Sequence, residues 1–190
     1  MTRWTIPAVL LFALCACASA PEHLYSLEGS PQMQASGETP LPIVVVGPVN
    51  VPELIDRPQL VLREDSYAVT VHEQERWASP LKESFPAVIV DELQRACPKR
   101  HFTTWSDVPV AADSRLRVNV RNLDLSFADG ATLSADWSYR TSNAPVPVVQ
   151  ASSQTHAGMD GNGYMAIVAA ARRTLALFAD DVASRLSDCR

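Results

Sequence analysis

Ile43-Val44-Val45-Val46-Gly47-Pro48-Val49-Asn50-Val51 is the stretch on which the fold turns. Its β-branched side chains favour an extended backbone and pack well on a pleated surface. The run from Ile43 to Val46 has no polar alternation, which indicates a strand covered on both faces or at least central in its sheet. Gly47-Pro48 then interrupts it. Proline has no N–H to give to a ladder, so a bulge or a free edge is expected there. Pro52-Glu53-Leu54-Ile55 leaves the strand as a turn or short helix.

Toward the C-terminus, Leu60 to Arg63 reads as a strand, with Tyr67 to His72 as its hairpin partner across Glu64-Asp65-Ser66. Asp56 and Arg57, just before Pro58, read as a pair that fixes a turn or as partner-interface residues. Glu73 to Leu81 reads as the approach to a helix, with Arg76 and Trp77 inside it as structural or partner-interface residues. Ser79 is placed to cap that helix, Pro80 to occupy its first position, and Trp77 to staple its first turns. Leu81, Phe85, Val88, Ile89, Leu93 and Cys97 form one apolar stripe at helical spacing. Pro86 is expected to bend the helix or delay its start, and Pro98 to end it.

Phe102 to Trp105 reads as a short strand, and Arg115 to Phe127 as a long one. Leu116, Val118 and Val120 carry its apolar phase, then Leu123, Leu125 and Phe127. A phase that slips by one residue marks a β-bulge near Arg121-Asn122. Ala128-Asp129-Gly130 turns the chain into a return strand through Leu133, Ala135, Trp137 and Tyr139. Val146 to His156 gives a third strand. Gly158 to Gly163 lacks the spaced carboxylates of a calcium loop. The last helix runs from Tyr164 to Ser187, with Val168, Ala171, Leu175, Phe178, Val182 and Leu186 on one stripe that Cys189 continues. These lengths predict an α+β fold of two layers, a mixed or antiparallel sheet with two long helices packed on one face.

Toward the N-terminus, Glu28 to Pro42 reads as a loop and His23 to Leu27 as a short strand. Before them stands Met1-Thr2-Arg3, then an uncharged run from Trp4 to Pro21 that is most apolar from Ile6 to Leu14. That is a secretory signal, too short in its apolar centre to span a bilayer. Leu14-Cys15-Ala16-Cys17 matches a bacterial lipobox, with Leu14 three residues and Ala16 one residue before the acylated Cys17. Two or three acyl chains on Cys17 anchor a protein durably, since each buried methylene contributes about 0.8 kcal/mol. The chain thus divides into a signal peptide (1–16), a short tether (17–22) and a single domain (23–190). Removal of Cys15 and acylation of Cys17 leave Cys97 and Cys189, which an oxidising compartment allows to pair.

The formal net charge is −5, which offers nothing to nucleic acid. The four histidines at 23, 72, 101 and 156 are scattered and form no metal-ligand spacing. No Gly-x-Ser-x-Gly elbow or phosphate-binding glycine loop is present. Cys97 and His101 are separated by Pro98, and Cys97 lies on an apolar stripe, so it reads as structural. Neither a catalytic residue nor a cofactor is expected.

The chain resembles the PqiC/YmbA family of ABC-type transport auxiliary lipoproteins. The resemblance rests on the lipobox, Leu24-Tyr25-Ser26-Leu27, the Ile43–Val51 strand, Asp56-Arg57-Pro58-Gln59-Leu60-Val61 and Glu75-Arg76-Trp77-Ala78-Ser79-Pro80-Leu81. It continues through Asp129-Gly130, Leu133-Ser134-Ala135-Asp136-Trp137 and the closing helix. It implies a lipid-anchored protein of the outer membrane that faces the periplasm. Its implied partners are an MCE-domain protein and inner-membrane transporter subunits that move lipids between membranes and preserve the envelope. A homo-oligomer is left open. The competing function is a periplasmic lipoprotein that carries lipid itself, which would need an apolar cavity between sheet and helices.

Overall fold

The computed structural model describes residues 20–29, 41–105, 112–145 and 149–189. Among the described residues, eight strands and two helices follow one another: β1 (His23–Tyr25), β2 (Ile43–Asn50), β3 (Gln59–Arg63), β4 (Val69–Trp77), α1 (Leu81–Ala96), β5 (His101–Thr104), β6 (Ser114–Ser126), β7 (Gly130–Thr141), β8 (Val149–Ala157) and α2 (Tyr164–Arg185). A short 3-10 turn, Ser187–Cys189, follows α2.

The fold is α+β, with both helices against mixed sheets. The strands divide into a five-stranded sheet in the order β5-β2-β6-β7-β8 and a three-stranded sheet in the order β1-β4-β3. In the larger sheet β2 runs parallel to both β5 and β6, while β6, β7 and β8 form an antiparallel meander. β2 lies inside that sheet with Val44, Val45 and Val46 all buried, so its unbroken β-branched run covers both faces. The register between β2 and β6 shifts between Val46 and Val49, which places the irregularity at Gly47-Pro48. A second shift, between Val120 and Asn122 of β6, is the bulge that the slipped phase indicates. It keeps Leu116, Val118, Val120, Leu123 and Leu125 on one face, opposite Tyr139, Trp137, Ala135, Leu133 and Ala131.

Helices α1 and α2 lie side by side on that apolar face, α1 against β2 and β5 and α2 against β7 and β8. Phe85, Ile89 and Leu93 from α1 and Ile167, Leu175 and Phe178 from α2 are at most 1% exposed. Two buried aromatics have their polar ends satisfied. Trp137 Nε1 donates to Ser153 Oγ at 2.8 Å, and the Tyr139 hydroxyl to Ser114 Oγ at 2.8 Å. Gly130 opens β7 at φ +85°, where a Cβ would stand 2.3 Å from the Ala157 carbonyl oxygen. Only glycine fits so close an approach in that conformation.

Two local expectations need correction. The approach to α1 is strand, because β4 continues from Val69 to Trp77. It carries no apolar alternation in the sequence because charged residues fill it, each with a remote partner. Glu75 meets His23 and Tyr25, Arg76 meets Glu22, and Glu73 meets Gln59. The cap of α1 also differs. Pro80 holds the N-cap position, and no side chain caps it locally. Instead Asp56 Oδ1 accepts the Lys82 N–H at 3.3 Å, so the cap comes from 26 residues upstream. Pro86 lies inside α1, which starts at Leu81 without delay.

Candidate functional site

The face of the five-stranded sheet opposite the helices is polar, and one corner of it is basic. β6 alternates, so Leu116 and Val118 point to the core while Arg115 and Arg117 point away. β7 pairs with it in a register that sets Arg115 opposite Arg140 and Arg117 opposite Ser138. Arg115, Arg117, Ser138 and Arg140 line a small groove of about 110 Å³. No carboxylate among the described residues forms an ion pair with any of the three arginines. Burial, and then the charges of Arg117 and Arg140, push the Arg115 guanidinium below its ordinary value. Like charges directly opposite across a strand pair oppose folding.

Arg115 also forms one wall of a larger cavity, of about 610 Å³, at the rim of the sheet. β5 stops at Thr104, level with Val46, and among the described residues no strand pairs with β2 on that side from Gly47 to Asn50. Pro48 has no donor to leave unsatisfied on that edge. The cavity opens between this edge and the first turns of α1, with apolar walls from Pro48, Val49, Pro86 and Trp105. Lys82 and Glu83 add one charge of each sign. Trp105 is 55% exposed, and the Arg115 guanidinium carbon lies 3.9 Å from its ring centroid. A guanidinium at this range is attracted by the ring face. Arg115 therefore joins an apolar cavity to a basic groove.

A second cluster holds the N-terminal segment. β1 adds parallel to β4, with His23, Leu24 and Tyr25 level with Glu75, Arg76 and Trp77. The Tyr25 hydroxyl donates to Glu75 Oε2 at 2.6 Å, and His23 Nδ1 lies 3.0 Å from Glu75 Oε1. Burial and the Glu75 carboxylate push the Tyr25 hydroxyl up to about 12. Burial works against the charge on Glu75, but the hydrogen bonds from Tyr25 and His23 outweigh it and hold the carboxyl below its usual range. Behind this lies Tyr164, whose hydroxyl is 2.9 Å from His72 Nδ1 and whose ring meets Tyr25 and Phe127.

The profile of a family described as ABC-type transport auxiliary lipoprotein component matches residues 25–183. The chain belongs to that family. The match takes in every strand from β2 onward, α1 and nearly all of α2. The auxiliary lipoprotein is also similar to two crystal structures. One, of an uncharacterised protein, has a TM-score of 0.71 at 18% identity and covers 88% of this chain and 100% of its own. The other, from Xanthomonas campestris, has a TM-score of 0.64 at 16% identity and covers 84% of this chain and 92% of its own. At these identities they speak for the fold. No protein of curated function matches the sequence.

The residues that the auxiliary lipoprotein's sequence singles out fall in different places. Cys17 lies outside the described residues. Asp56 caps α1, and its other oxygen lies 3.9 Å from Lys82 Nζ. Arg57 is partly buried, and its Nε finds no hydrogen-bond partner among the described residues. Arg76 pairs with Glu22 at 2.5 Å, which ties the tether to β4. Trp77 is 6% exposed, beside Ile55, Leu81 and Leu123, and its backbone N–H donates to the Pro58 carbonyl at 2.7 Å. Cys97 and Cys189 are joined, with 4.9 Å between their Cα atoms. Among the described residues no group of three metal-capable side chains gathers, and no helix is long and apolar enough to cross a membrane.

Sequence reasoning missed the corner at Arg115. The signal available was Arg115-x-Arg117 on the polar phase of a strand otherwise alternating with apolar residues. Arg140 joins them only through the hairpin register, and Trp105 only through the end of β5.

Proposed function

We propose that this auxiliary lipoprotein is a non-enzymatic adaptor, held by acylated Cys17 on the periplasmic face of the outer membrane. There it receives a periplasm-spanning MCE-domain protein whose inner-membrane transporter subunits drive lipid movement. The observation that carries this reading over a lipid carrier is the filled space between sheet and helices. Leu116, Leu133 and Trp137 from the sheet meet Phe85, Ile89, Leu175 and Phe178, each at most 2% exposed, and leave no room there for cargo. The short tether supports a place close to the membrane, because Glu22 and His23 already engage β4.

The test is affinity capture of the tagged, acylated chain from mildly cross-linked cells of its own source, with gradient separation of the two membranes. The adaptor reading expects an MCE-domain protein in the eluate and the chain in the outer-membrane fraction. A chain that sediments with the inner membrane, or that captures no MCE-domain protein, overturns it. Cys17→Ser is expected to leave the fold intact and move the protein to the soluble fraction, since all membrane affinity is assigned to the lipid.

A further inference from the structure

The geometry points to a binding site for a single anionic amphiphile, with a phosphate at Arg115, Arg117 and Arg140 and the start of an acyl chain in the cavity walled by Pro48, Val49, Pro86 and Trp105. Two observations that need each other carry it. Three guanidinium groups gather at one corner with no described carboxylate to neutralise them, although like charges across a strand pair cost stability. An anion held between them would remove that cost, and a guanidinium fork matches phosphate geometry with paired charge-assisted hydrogen bonds. Next to them a 610 Å³ space has walls of proline, valine and tryptophan. Volumes of this size, mostly apolar with a few convergent polar groups, are those of small-molecule sites.

Arg115 decides that the two are one site. It belongs to both the groove and the cavity, and Trp105 stacked on its guanidinium fixes where basic gives way to apolar. A free phosphate would use the groove and leave the cavity empty. A neutral apolar ligand would use the cavity and leave the arginines uncompensated. A molecule with an anionic head and an apolar tail uses both. The cavity lies at the rim of the sheet, outside the packed core. It thus suits a lipid held in passing, with one part of its chain covered, more than a lipid enclosed. The inference rests on the transport reading for its choice of a lipid over other anionic amphiphiles.

The test is calorimetric titration of the full mature chain carrying Cys17→Ser with three probes: dihexanoyl phosphatidylglycerol below its micelle concentration, dihexanoyl phosphatidylcholine and inorganic phosphate. Phosphatidylglycerol is expected to bind saturably, one molecule per chain, and to weaken as salt is raised. Phosphatidylcholine, with no net charge, and phosphate, with no tail, should each bind weaker by roughly tenfold or more, about the worth of one charge-assisted contact. The double substitution Arg117→Gln with Arg140→Gln lies on exposed positions of the sheet, and circular dichroism should show it folded. It is expected to lose phosphatidylglycerol binding by a similar factor. Equal affinity for the two lipids, phosphate binding as tight as phosphatidylglycerol, or an unchanged double variant would each overturn the site. Failure here would leave capture of an MCE-domain partner untouched, and failure of that capture would leave this titration standing.

Discussion

Asp56 shows how a single residue can look local in sequence and act at a distance. Next to Arg57 and before Pro58 it has the look of a turn residue. In the fold its carboxylate accepts the second N–H of α1 and stands near the Lys82 ammonium. The first N–H groups of a helix have no partner within it, and a carboxylate there also meets the positive end of the helix dipole. Asp56→Ala is therefore expected to cost about 1 kcal/mol of stability, the usual worth of a lost cap. Ser79→Ala should be nearly neutral, because Ser79 makes no cap despite its place in the sequence. Urea unfolding of both variants checks this, and the opposite ranking would return the cap to Ser79. The sequence could not reveal the exchange, because a cap is defined by where an oxygen arrives, and Asp56 arrives through the packing of the β2–β3 connection on α1.

At the scale of elements, the apolar stripes of both helices and the bulge of β6 were legible because each is a periodicity carried by its own residues. β4 was not, since its pattern is built from charges whose partners lie on β1, on β3 and in the tether. The same chemistry makes β1 sensitive to pH. Glu75 is held below 4.5, its ordinary value, so an unfolded or released Glu75 binds a proton more readily than a docked one. Its contribution to docking is then fully present above pH 4.5 and is lost as pH falls through the lower, docked value. Tyr25 works in the other direction. It is held neutral up to about 12, so its contribution is present below 10.0 and lost as pH rises toward 12. β1 should be most firmly docked between these limits. Hydrogen exchange of the 20–29 segment, corrected for its intrinsic pH dependence, is expected to show protection at pH 7 that fades as the pH falls below the ordinary carboxylate range. Glu75→Gln should weaken protection at pH 7 and flatten the acid response. A segment equally protected in acid and at neutrality would mean that the three backbone register pairs hold β1 without help from Glu75.

The whole molecule is held together across its two helices, and here the direction of the helices decides the outcome. Each stripe ends on a cysteine, which the sequence shows, but it does not show whether the two ends meet or lie at opposite poles. The ion pairs settle the direction. Glu92 of α1 reaches Arg172 of α2, Arg95 reaches Asp180, and Cys97 reaches Cys189, so contacts advance along both chains together and the helices run parallel. The division of the strands into two sheets was illegible for a related reason. It depends on β1 leaving the N-terminal segment to pair with β4, a partner 52 residues away, and no local pattern encodes that choice. The bond between Cys97 and Cys189 spans a separation of 92 residues. In the chain-entropy account a loop of this length stabilises the fold by roughly 4–5 kcal/mol, an upper figure. For a domain of this size that corresponds to a melting point on the order of 10 °C higher than in the reduced chain. Thiol labelling of the unreduced, denatured mature protein should find neither Cys97 nor Cys189 reactive, with the protein monomeric in the absence of reductant. Two reactive thiols would refute the bond, and a disulfide that joins two chains would move it to an interface. If the thiols are protected but reduction leaves the melting point unchanged, the bond exists and the stability attributed to it does not. Parallel helices already tied by Glu92, Arg95 and their packed stripes would then hold the two C-terminal ends together unaided.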